Sequence, residues 1–540
     1  MRTTSRKRLL PRQLTPTWLR LLIIVLLGLG IFFRFVNLEQ KVYWHDEAYT
    51  GLRMSGYTKT EFVQQVFNGQ VIGVESVRKY QYPNPEKGVI NTINSLAVED
   101  AQHPPVYYVL VRLWVQIFGN SIAVTRSLSA IISLLAFPCI YWLCLELFES
   151  PITAWIGVAL LAVSSFHVLY AQEARQFSLW TVTILLASAT LLRAMRLGSK
   201  RLWVMYAITV ALGLYTFLFS ALVTLAQGIY VFVIQGFRFT KLVKAYLVAA
   251  SAGFLAFLPW ILVLINNLSQ VEQTTSSAQK RQSISALVTG WTSNNSYLFG
   301  DFWRYEPFFP DLNIPGLRWG RYLVPLLLIV VIFSFYFIYR RTAKQVWLFI
   351  FTLSGVPALT LILNDVIFGG KLSLRSRYII PCYVGIQLAV AYLLASQIIS
   401  NKVLQRRLWK LVLVAVISTG LLSCAVSSQA ETWWSKGSHA NHQIARIINS
   451  SIKPLFISSN YSLNIGDIMS LSHLLKSNVQ MQLVTEPNLP QIPDRFSDVF
   501  LYNPSKQFKS DLEKKFILDN VYKNGRLWRL KDKKISSVNI

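Results

Sequence analysis

The sequence predicts a polytopic, all-α membrane protein with about eleven transmembrane helices, a large first loop and a small carboxy-terminal α/β domain. Of the 540 residues, 53% are hydrophobic and only 14% are charged, a balance too apolar for a water-soluble globular protein. Apolar runs long enough to cross a membrane recur between residues 18 and 427. Residues 431–540 instead alternate short strand-like and helix-like runs.

The charge and the cysteines exclude several classes of protein. A formal net charge of +28 suits a nucleic-acid binder only when Lys and Arg share one face of a polar domain, whereas here they lie in short tufts between apolar runs. We therefore expect no nucleic-acid partner. The four cysteines fall inside or at the ends of apolar segments, which predicts neither a disulfide framework nor a thiolate metal site.

Apolar length defines the expected spans. The first run, 21–33, follows a basic stretch and could be a signal peptide, but no small-residue cleavage site follows it, so we interpret it as a retained span. The predicted spans lie near residues 18–36, 121–147, 152–171, 176–197, 202–217, 219–236, 242–264, 320–339, 345–365, 377–397 and 408–427.

The positions of unpaired cations predict the orientation, because cytoplasmic loops retain Lys and Arg. The orientation depends on the segment 104–118. A twelfth crossing there would place four clusters of Lys and Arg on the outer side and would put Arg112 near the bilayer centre. We therefore interpret it as an interfacial helix. Residues 1–17 are then cytoplasmic, 18–430 form the membrane domain with outer loops at 37–120 and 265–319, and 431–540 form an outer domain. Tufts without acidic partners in the sequence occur at the amino terminus and at 193–201, 238–244, 340–344 and 402–410.

The tail predicts a small, three-layered α/β domain. It contains no phosphate loop or nucleophile motif, so we interpret it as an accessory or acceptor-contacting module. Strand-like runs occupy 454–458, 480–484 and 498–502, helix-like runs occupy 465–476 and 507–516, and residues 525–530 follow.

The most informative cluster is the segment 43–49, which holds His45, Asp46 and Glu47 among aromatic residues about ten residues beyond the first span. Adjacent carboxylates at a membrane surface are costly to desolvate. One of them could accept a proton from a hydroxyl while its neighbour orients it. The alternative is an exposed acidic pair capping a helix that starts at Glu47.

Two further motifs precede predicted spans or helices. His103, followed by two prolines, opens the interfacial helix at headgroup height and could meet a phosphate or sugar hydroxyl. The turn 172–175 is predicted to bring Gln172, Glu173 and Arg175 to an outer mouth, where they could contact substrate. The alternatives are a satisfied interfacial histidine and a hairpin ion pair at the water boundary.

Cations form the last group. Lys371, Arg375 and Arg377 lie in an outer loop before a span, and Arg126 lies at a similar depth. The planar guanidinium group suits phosphate oxygens, although contact with anionic headgroups would give the same pattern. Together these residues predict one outer pocket in which cations hold a lipid phosphate while a carboxylate activates a hydroxyl.

The Asp-Glu pair after the first span, the His-Pro-Pro motif, the Gln-Glu-Ala-Arg turn and the Arg-x-Arg-Tyr motif before a span resemble polyprenyl-phosphate-sugar-dependent glycosyltransferases of the GT-C fold. The resemblance is greatest to the protein-mannosyltransferase and aminoarabinose-transferase superfamily, particularly its bacterial members that modify lipopolysaccharide cores or other envelope glycans. It covers residues 20–400. The polar insertion 69–88 has no counterpart that we could place, and the tail from Glu431 lacks a signature that would identify the acceptor.

The resemblance implies roles for individual residues. Asp46 matches the catalytic carboxylate and Glu47 its partner, while His103, Arg126, Arg375 and Arg377 match groups that hold the lipid phosphate. Residues 172–175 match a turn that lines the acceptor or sugar side. No cofactor is expected, and a metal site at His45, Asp46 and Glu47 is the less favoured alternative.

The implied activity is transfer of a sugar from a polyprenyl-monophosphate donor to an extracytoplasmic hydroxyl at a bacterial plasma membrane. The expected partners are the donor, the acceptor and membrane lipids. One alternative is a transporter or flippase of lipid-linked substrates, which would place ionisable residues at the bilayer midplane. A second is an envelope scaffold that docks through its tail.

Overall fold

The computed structural model describes residues 16–275, 282–304, 317, 319–522 and 525–532. The chain forms two compact units. The first comprises the residues up to Leu38 with Asp100–Tyr107 and Arg126–Gln429, and the second comprises Glu39–Glu99, Tyr108–Thr125 and the residues from Ala430. The basic residues up to Arg12, which contributed to the predicted orientation, lie outside the described residues.

Long apolar helices build the first unit, which confirms the prediction of a polytopic helical protein. The number of crossings, about eleven by sequence, stays a prediction. Among the described residues seven helices are long and apolar enough to cross a membrane, namely Thr17–Phe35, Ile122–Phe148, Phe177–Leu197, Trp319–Arg341, Lys344–Phe368, Ser376–Ile398 and Val403–Ser428. Two bent pairs bring this number to nine, Pro151–Ala162 with Ser165–Ala171 and Lys241–Ala256 with Leu258–Asn266.

The other two predicted spans fall on shorter helices, Lys200–Thr216 with 17 residues and Ser220–Ile234 with 15. A 15-residue helix is about 23 Å long, which is less than a hydrocarbon core of about 30 Å. The loop after residue 266 is partly helical, with helices Leu268–Thr275 and Ile284–Ser296 and a 3-10 turn at Phe302–Arg304.

The helix pair Pro151–Ala162 and Ser165–Ala171, here called the broken helix, bends by 59° at residues 163 and 164. Terminal helix carbonyls lack intrahelical partners, and hydrocarbon supplies none. Arg34 of the first span donates to the carbonyls of Leu161, at 3.1 Å, and Ala162, at 2.8 Å. The cation also complements the partial negative charge at the end of a helix. Arg34 therefore stabilises the break.

The first span approaches this break at Gly30, because a Cβ atom there would lie 2.7 Å from the Ala162 carbonyl oxygen. We expect Gly30→Ala to lower the free energy of unfolding by about 1–3 kcal/mol. The matched control is Gly28→Ala in the same helix, where a Cβ atom would meet nothing within 4 Å. Alanine is the better helix former, so the control should keep or raise the unfolding temperature. Equal unfolding temperatures for the two variants would contradict this packing.

One of the tufts has an acidic partner, so the prediction that it has none is wrong. Glu146 has a 2% exposed side chain and pairs with Arg193 at 2.8 Å and with Arg196 at 2.5 Å. The partner lies on the helix Ala136–Phe148, about 47 residues before Arg193, so the local sequence around the tuft does not reveal it. Two cations against one carboxylate still leave a positive charge.

The second unit contains a six-stranded sheet. Its strands are β1 (Asn68–Gly73), β2 (Pro454–Ser459), β3 (Gln480–Val484), β4 (Asp498–Tyr502), β5 (Phe516–Tyr522) and β6 (Leu527–Asp532). Their order in the sheet is β1-β3-β2-β4-β6-β5, with β2 parallel to β3 and β4 and the remaining pairs antiparallel. The predicted carboxy-terminal α/β domain is therefore confirmed.

Helices cover both faces of this sheet, as expected for three layers. Ile457 of β2 shares an apolar cluster with Phe508 of the helix Lys506–Glu513. The next residue, Ser458, points to the opposite face, where its hydroxyl accepts a hydrogen bond from Asn464 of the helix Asn464–Ser472. The helix predicted over 507–516 ends at Glu513, and β5 begins at Phe516, so that boundary is wrong.

Other elements of the second unit come from the first long loop. Strand β1 pairs with β3, so part of the insertion that the resemblance left unplaced completes an edge of the sheet. The sequence did not reveal this strand, because its two glycines and its asparagine indicate a turn. Described helices of this unit include His45–Met54, Lys59–Val66, Glu75–Arg78, Val89–Glu99, Asn441–Asn449, Asn464–Ser472 and Lys506–Glu513, with a 3-10 turn at Lys79–Gln81.

The helix Val106–Phe118 occupies the segment 104–118, which was predicted to be an interfacial helix. Its 13 residues span about 20 Å, less than a hydrocarbon core of about 30 Å, and that it lies at the interface stays a prediction. The Arg112 guanidinium is buried and donates to the carbonyls of Met54, at 2.9 Å, and Lys87. These acceptors lie in the second unit, so Arg112 serves as a bridge between loop segments.

Two carboxylates make the second unit sensitive to acid. Burial alone would raise the pKa of Glu99, but Arg53 at 2.8 Å and hydrogen bonds from Lys59 and Thr60 hold that pKa below its ordinary value. Glu61, paired with Lys87, also has a lowered pKa, again against the effect of burial.

A carboxylate whose pKa is lower in the folded state contributes stability that is complete above its ordinary pKa and is lost as the pH falls through the lowered value. We therefore expect the unfolding temperature to fall on acidification below about pH 5. Glu99→Gln should flatten this dependence, and thermal scans from pH 7 to pH 3 measure it. Glu75→Gln, at a side chain 70% exposed, is the control. An unchanged slope in Glu99→Gln would contradict this role.

Candidate active site

The carboxylate cluster lies at the start of the helix His45–Met54. The helix begins at His45, two residues before the predicted start, so Asp46 and Glu47 both occupy its first turn. Negative charge is favoured there because the amino end of a helix carries partial positive charge. Asp46 is half-buried. The cluster therefore sits on a rigid element.

Glu47 is fully buried, which excludes the alternative of an exposed acidic pair. Its Oε2 atom lies 3.5 Å from the Nζ atom of Lys436, and neither side chain is exposed. A buried charge requires a partner, and the ammonium supplies it. Sequence reasoning missed Lys436. The available signal was a single lysine directly after two tryptophans and a serine at the start of the tail.

In the first unit, a second group of predicted residues lies around Phe177. The guanidinium carbon of Arg175 lies 5.9 Å from the centre of the Phe177 ring, and that of Arg377 lies 5.6 Å from it. Gln176 is adjacent in sequence, and its Nε2 atom lies 3.3 Å from Nδ1 of His103. The structure thus brings Arg175 and Arg377 together at one aromatic ring and places His103 beside the preceding residue, Gln176.

The loop that carries Lys371 and Arg375 is held by a buried carboxylate. Asp365 accepts hydrogen bonds from the backbone N–H groups of Leu372, at 2.9 Å, and Ser373, at 2.7 Å, and from the Ser373 hydroxyl at 2.6 Å. Lys371, Arg375 and Arg377 remain partly exposed, so a ligand could reach them. The hydroxyl of Tyr170, 3.3 Å from that of Ser376, connects this loop to the broken helix.

Three other predicted residues are deeply buried. Arg126 is fully buried and donates to the Leu38 carbonyl at 2.6 Å. Gln172 donates to the carbonyls of Phe33, at 2.9 Å, and Val36, at 2.8 Å, at the end of the first span. Glu173 is also fully buried. These positions favour structural roles for Arg126 and Gln172, and substrate contact by any of the three stays a prediction.

The predicted residues thus form one group in each compact unit. Asp46 and Glu47 belong to the second unit, whereas His103, Arg175, Lys371, Arg375 and Arg377 belong to the first. That the two groups serve one pocket stays a prediction. Within the part of the chain that the structure describes, no group of three or more His, Cys, Asp or Glu side chains could hold a metal ion.

Comparison with known proteins identifies the fold. Residues 102–263 match the family model described as dolichyl-phosphate-mannose-protein mannosyltransferase. No curated protein sequence matches the chain. ArnT from Cupriavidus metallidurans in the apo state aligns over 95% of this chain and 97% of its own, with a TM-score of 0.53 and 12% identity. The chain has the GT-C fold.

Two further solved structures align with this GT-C chain. ArnT bound to undecaprenyl phosphate aligns over 95% of this chain and 97% of its own, with a TM-score of 0.49 and 13% identity. The oligosaccharyltransferase of Archaeoglobus fulgidus aligns over 87% of this chain and 65% of its own, with a TM-score of 0.49 and 13% identity. The fold assignment rests on the apo ArnT comparison. It confirms the GT-C resemblance and a multi-pass membrane protein.

Proposed function

We propose that the protein is a glycosyltransferase that moves a sugar from a polyprenyl-monophosphate donor to a hydroxyl of an extracytoplasmic glycan, lipid or protein. Three findings support this proposal. The chain has the GT-C fold, residues 102–263 match a family described by a dolichyl-phosphate sugar, and the C. metallidurans relative has been solved with undecaprenyl phosphate. The comparisons give no support to the transporter alternative.

The observation that carries the proposal is the first turn of the helix His45–Met54. Asp46 is half-buried there, so an acceptor can reach it, while Glu47 is fully buried beside it and paired with Lys436. A carboxylate meant only for solubility does not need an adjacent buried ion pair, which costs desolvation energy. The arrangement suits a base held in one orientation.

In the proposed reaction Asp46 accepts the proton of the acceptor hydroxyl. The oxygen attacks the anomeric carbon, and the bond between that carbon and the phosphate oxygen breaks. The polyprenyl phosphate leaves with the bonding electrons, and the configuration at the anomeric carbon inverts. Asp46 then returns its proton to water.

The leaving phosphate gains negative charge, and cations can stabilise it. Arg377, Arg375 and Lys371 are partly exposed on a loop that Asp365 fixes. Arg175 lies beside the ring of Phe177, and His103 lies beside the side chain of Gln176. Guanidinium groups in fixed positions bind phosphate oxygens by paired hydrogen bonds. We assign the binding of the phosphate to this group and the activation of the acceptor hydroxyl to Asp46.

The proposed location is a bacterial plasma membrane, with the amino terminus cytoplasmic and the carboxy-terminal domain outside. The Lys and Arg tufts support this orientation. The acceptor would then be an envelope component, and lipopolysaccharide is the acceptor class that the ArnT likeness favours. Surrounding lipids contact the exposed apolar faces of the spans.

A direct test uses purified protein in lipid nanodiscs with a panel of polyprenyl-phosphate sugars. Free polyprenyl monophosphate should appear with at least one donor, even without a known acceptor if water replaces it slowly. Addition of envelope glycan fractions should accelerate the release. Folded protein that releases no polyprenyl phosphate from any donor, with or without these fractions, would refute the proposed activity.

A further inference from the structure

We infer that Lys436, Ser438 and Asp467 of the carboxy-terminal region are positioning residues for the Asp46 carboxylate, so that this region is an integral part of the active site. The inference rests on the proposed function. It replaces the interpretation of the tail as an accessory module. All the residues involved belong to the second unit.

The first contact is the ion pair between Glu47 and Lys436. Both side chains are fully buried, 3.5 Å apart, although 389 residues separate them in sequence. The Nζ atom of Lys436 also lies 5.8 Å from the ring centre of Trp44, the residue directly before the helix. The buried ammonium compensates the charge of the Glu47 carboxylate. Its removal leaves Glu47 as an uncompensated buried charge.

The second contact caps the helix. Trp44 occupies the N-cap position and offers no side-chain acceptor, so the first N–H groups of the helix need partners from elsewhere. The hydroxyl oxygen of Ser438 accepts the N–H of His45 at 3.0 Å. The same hydroxyl donates to Oδ1 of Asp467 at 2.7 Å, which fixes its direction. Two residues of the tail therefore supply the missing cap.

The third contact is steric and electrostatic. The ring of His45 lies against Gly466, where a Cβ atom would collide with it. Nδ1 of His45 is 3.9 Å from Oδ1 of Asp467. The backbone N–H of Val42, three residues before the helix, donates to the Glu431 carbonyl at 2.7 Å. The tail thus contacts Val42 before the helix, His45 at its start and Glu47 in its first turn.

Asp46 lies between His45 and Glu47, the two residues that these contacts fix. Its backbone therefore has little freedom to move, while its own side chain stays half-buried and accessible. Preorganisation of this kind raises kcat, because a displacement of about 1 Å at a reacting group can cost on the order of 100-fold in rate. These contacts would hold Asp46 in one orientation through Lys436, Ser438 and Asp467, which lie almost 400 positions or more later in the sequence.

The test uses full-length Lys436→Met and Ser438→Ala in the polyprenyl phosphate release assay. We expect kcat to fall by about 10- to 100-fold while KM for the donor changes little, because the variants displace the base and leave the phosphate site intact. Ser438→Thr, which keeps a hydroxyl, should retain more activity than Ser438→Ala.

A readout independent of activity is hydrogen exchange in the peptide 45–54, which should become faster in both variants. Lys453→Met and Ser477→Ala, at exposed positions in the same unit, are the matched controls and should resemble the wild type. If Lys436→Met does not fold, the double variant Glu47→Gln with Lys436→Met replaces the buried charges by neutral groups of similar size. It should fold and still lose kcat.

Wild-type kcat in folded Lys436→Met or in the double variant, with unchanged hydrogen exchange in the peptide 45–54, would overturn the inference. Such a result leaves the proposed function standing as long as Asp46→Asn remains inactive. Full activity of Asp46→Asn would instead refute the proposed function itself. The two failures are therefore distinguishable.

Discussion

Asp46→Asn should lower the rate of sugar transfer by at least about 100-fold, since general-base catalysis contributes about 10²–10⁴-fold. The amide has almost the same shape as the carboxylate but cannot accept the acceptor proton. Because Asp46 is half-buried and lies in a helix that other residues hold, the variant should fold with little change in unfolding temperature. Release of polyprenyl phosphate at saturating donor concentration measures the effect.

The matched control is Asp494→Asn, which makes the same chemical change at an exposed position of the same unit. It should keep the wild-type rate. Donor binding in Asp46→Asn, measured separately by retention of labelled polyprenyl-phosphate sugar, should also stay close to the wild-type value. Loss of donor binding together with activity would contradict the assignment of Asp46 as the base.

Neutralising the cations of the loop before the span Ser376–Ile398 should weaken binding of the lipid donor and leave the chemical step unchanged. We expect Arg375→Gln and Arg377→Gln each to raise KM for the lipid donor by about 10- to 100-fold, because a charged hydrogen bond to phosphate contributes about 1.5–3 kcal/mol. Arg377 should have the larger effect, since its guanidinium lies beside Phe177 with that of Arg175. Initial rates over a range of donor concentrations measure the change.

Arg340→Gln is the control for these variants, at an exposed position near the end of the span Trp319–Arg341. It removes the same charge and should leave KM unchanged. High salt distinguishes a bound phosphate from general attraction to anionic lipid, because screening weakens exposed charge interactions most. An equal rise in KM for all three arginine variants would favour ordinary headgroup contact.

Elements whose formation depends on nearby residues could be predicted from the sequence. Spans such as Lys344–Phe368 are evident because hydrocarbon thickness sets a minimum apolar length. The Val106–Phe118 helix could be predicted from its apolar residues, and its position at the interface stays a prediction that rests on the cost of Arg112 in lipid. Asp46 and Glu47 were recognisable because paired carboxylates next to a span are unusual and costly.

Contacts between distant parts of the chain could not be predicted from the sequence. The partner of Glu47 is Lys436, and nothing in the composition of either segment pairs them. Strand β1 forms only because β3, more than 400 positions later, supplies its hydrogen bonds. The sequence could not show that Arg126 is fully buried and donates to the Leu38 carbonyl, a contact with a residue 88 positions earlier; its binding of phosphate stays a prediction.

The most direct test of glycosyl transfer uses proteoliposomes that contain a polyprenyl-phosphate sugar labelled in both the lipid and the sugar, together with the acceptor fraction that accelerates release. Transfer predicts one free polyprenyl monophosphate for each sugar that becomes attached to the acceptor, and neither product with Asp46→Asn. If the intact labelled donor instead crosses the bilayer while no polyprenyl phosphate is released, the protein moves lipid-linked sugars and does not transfer them.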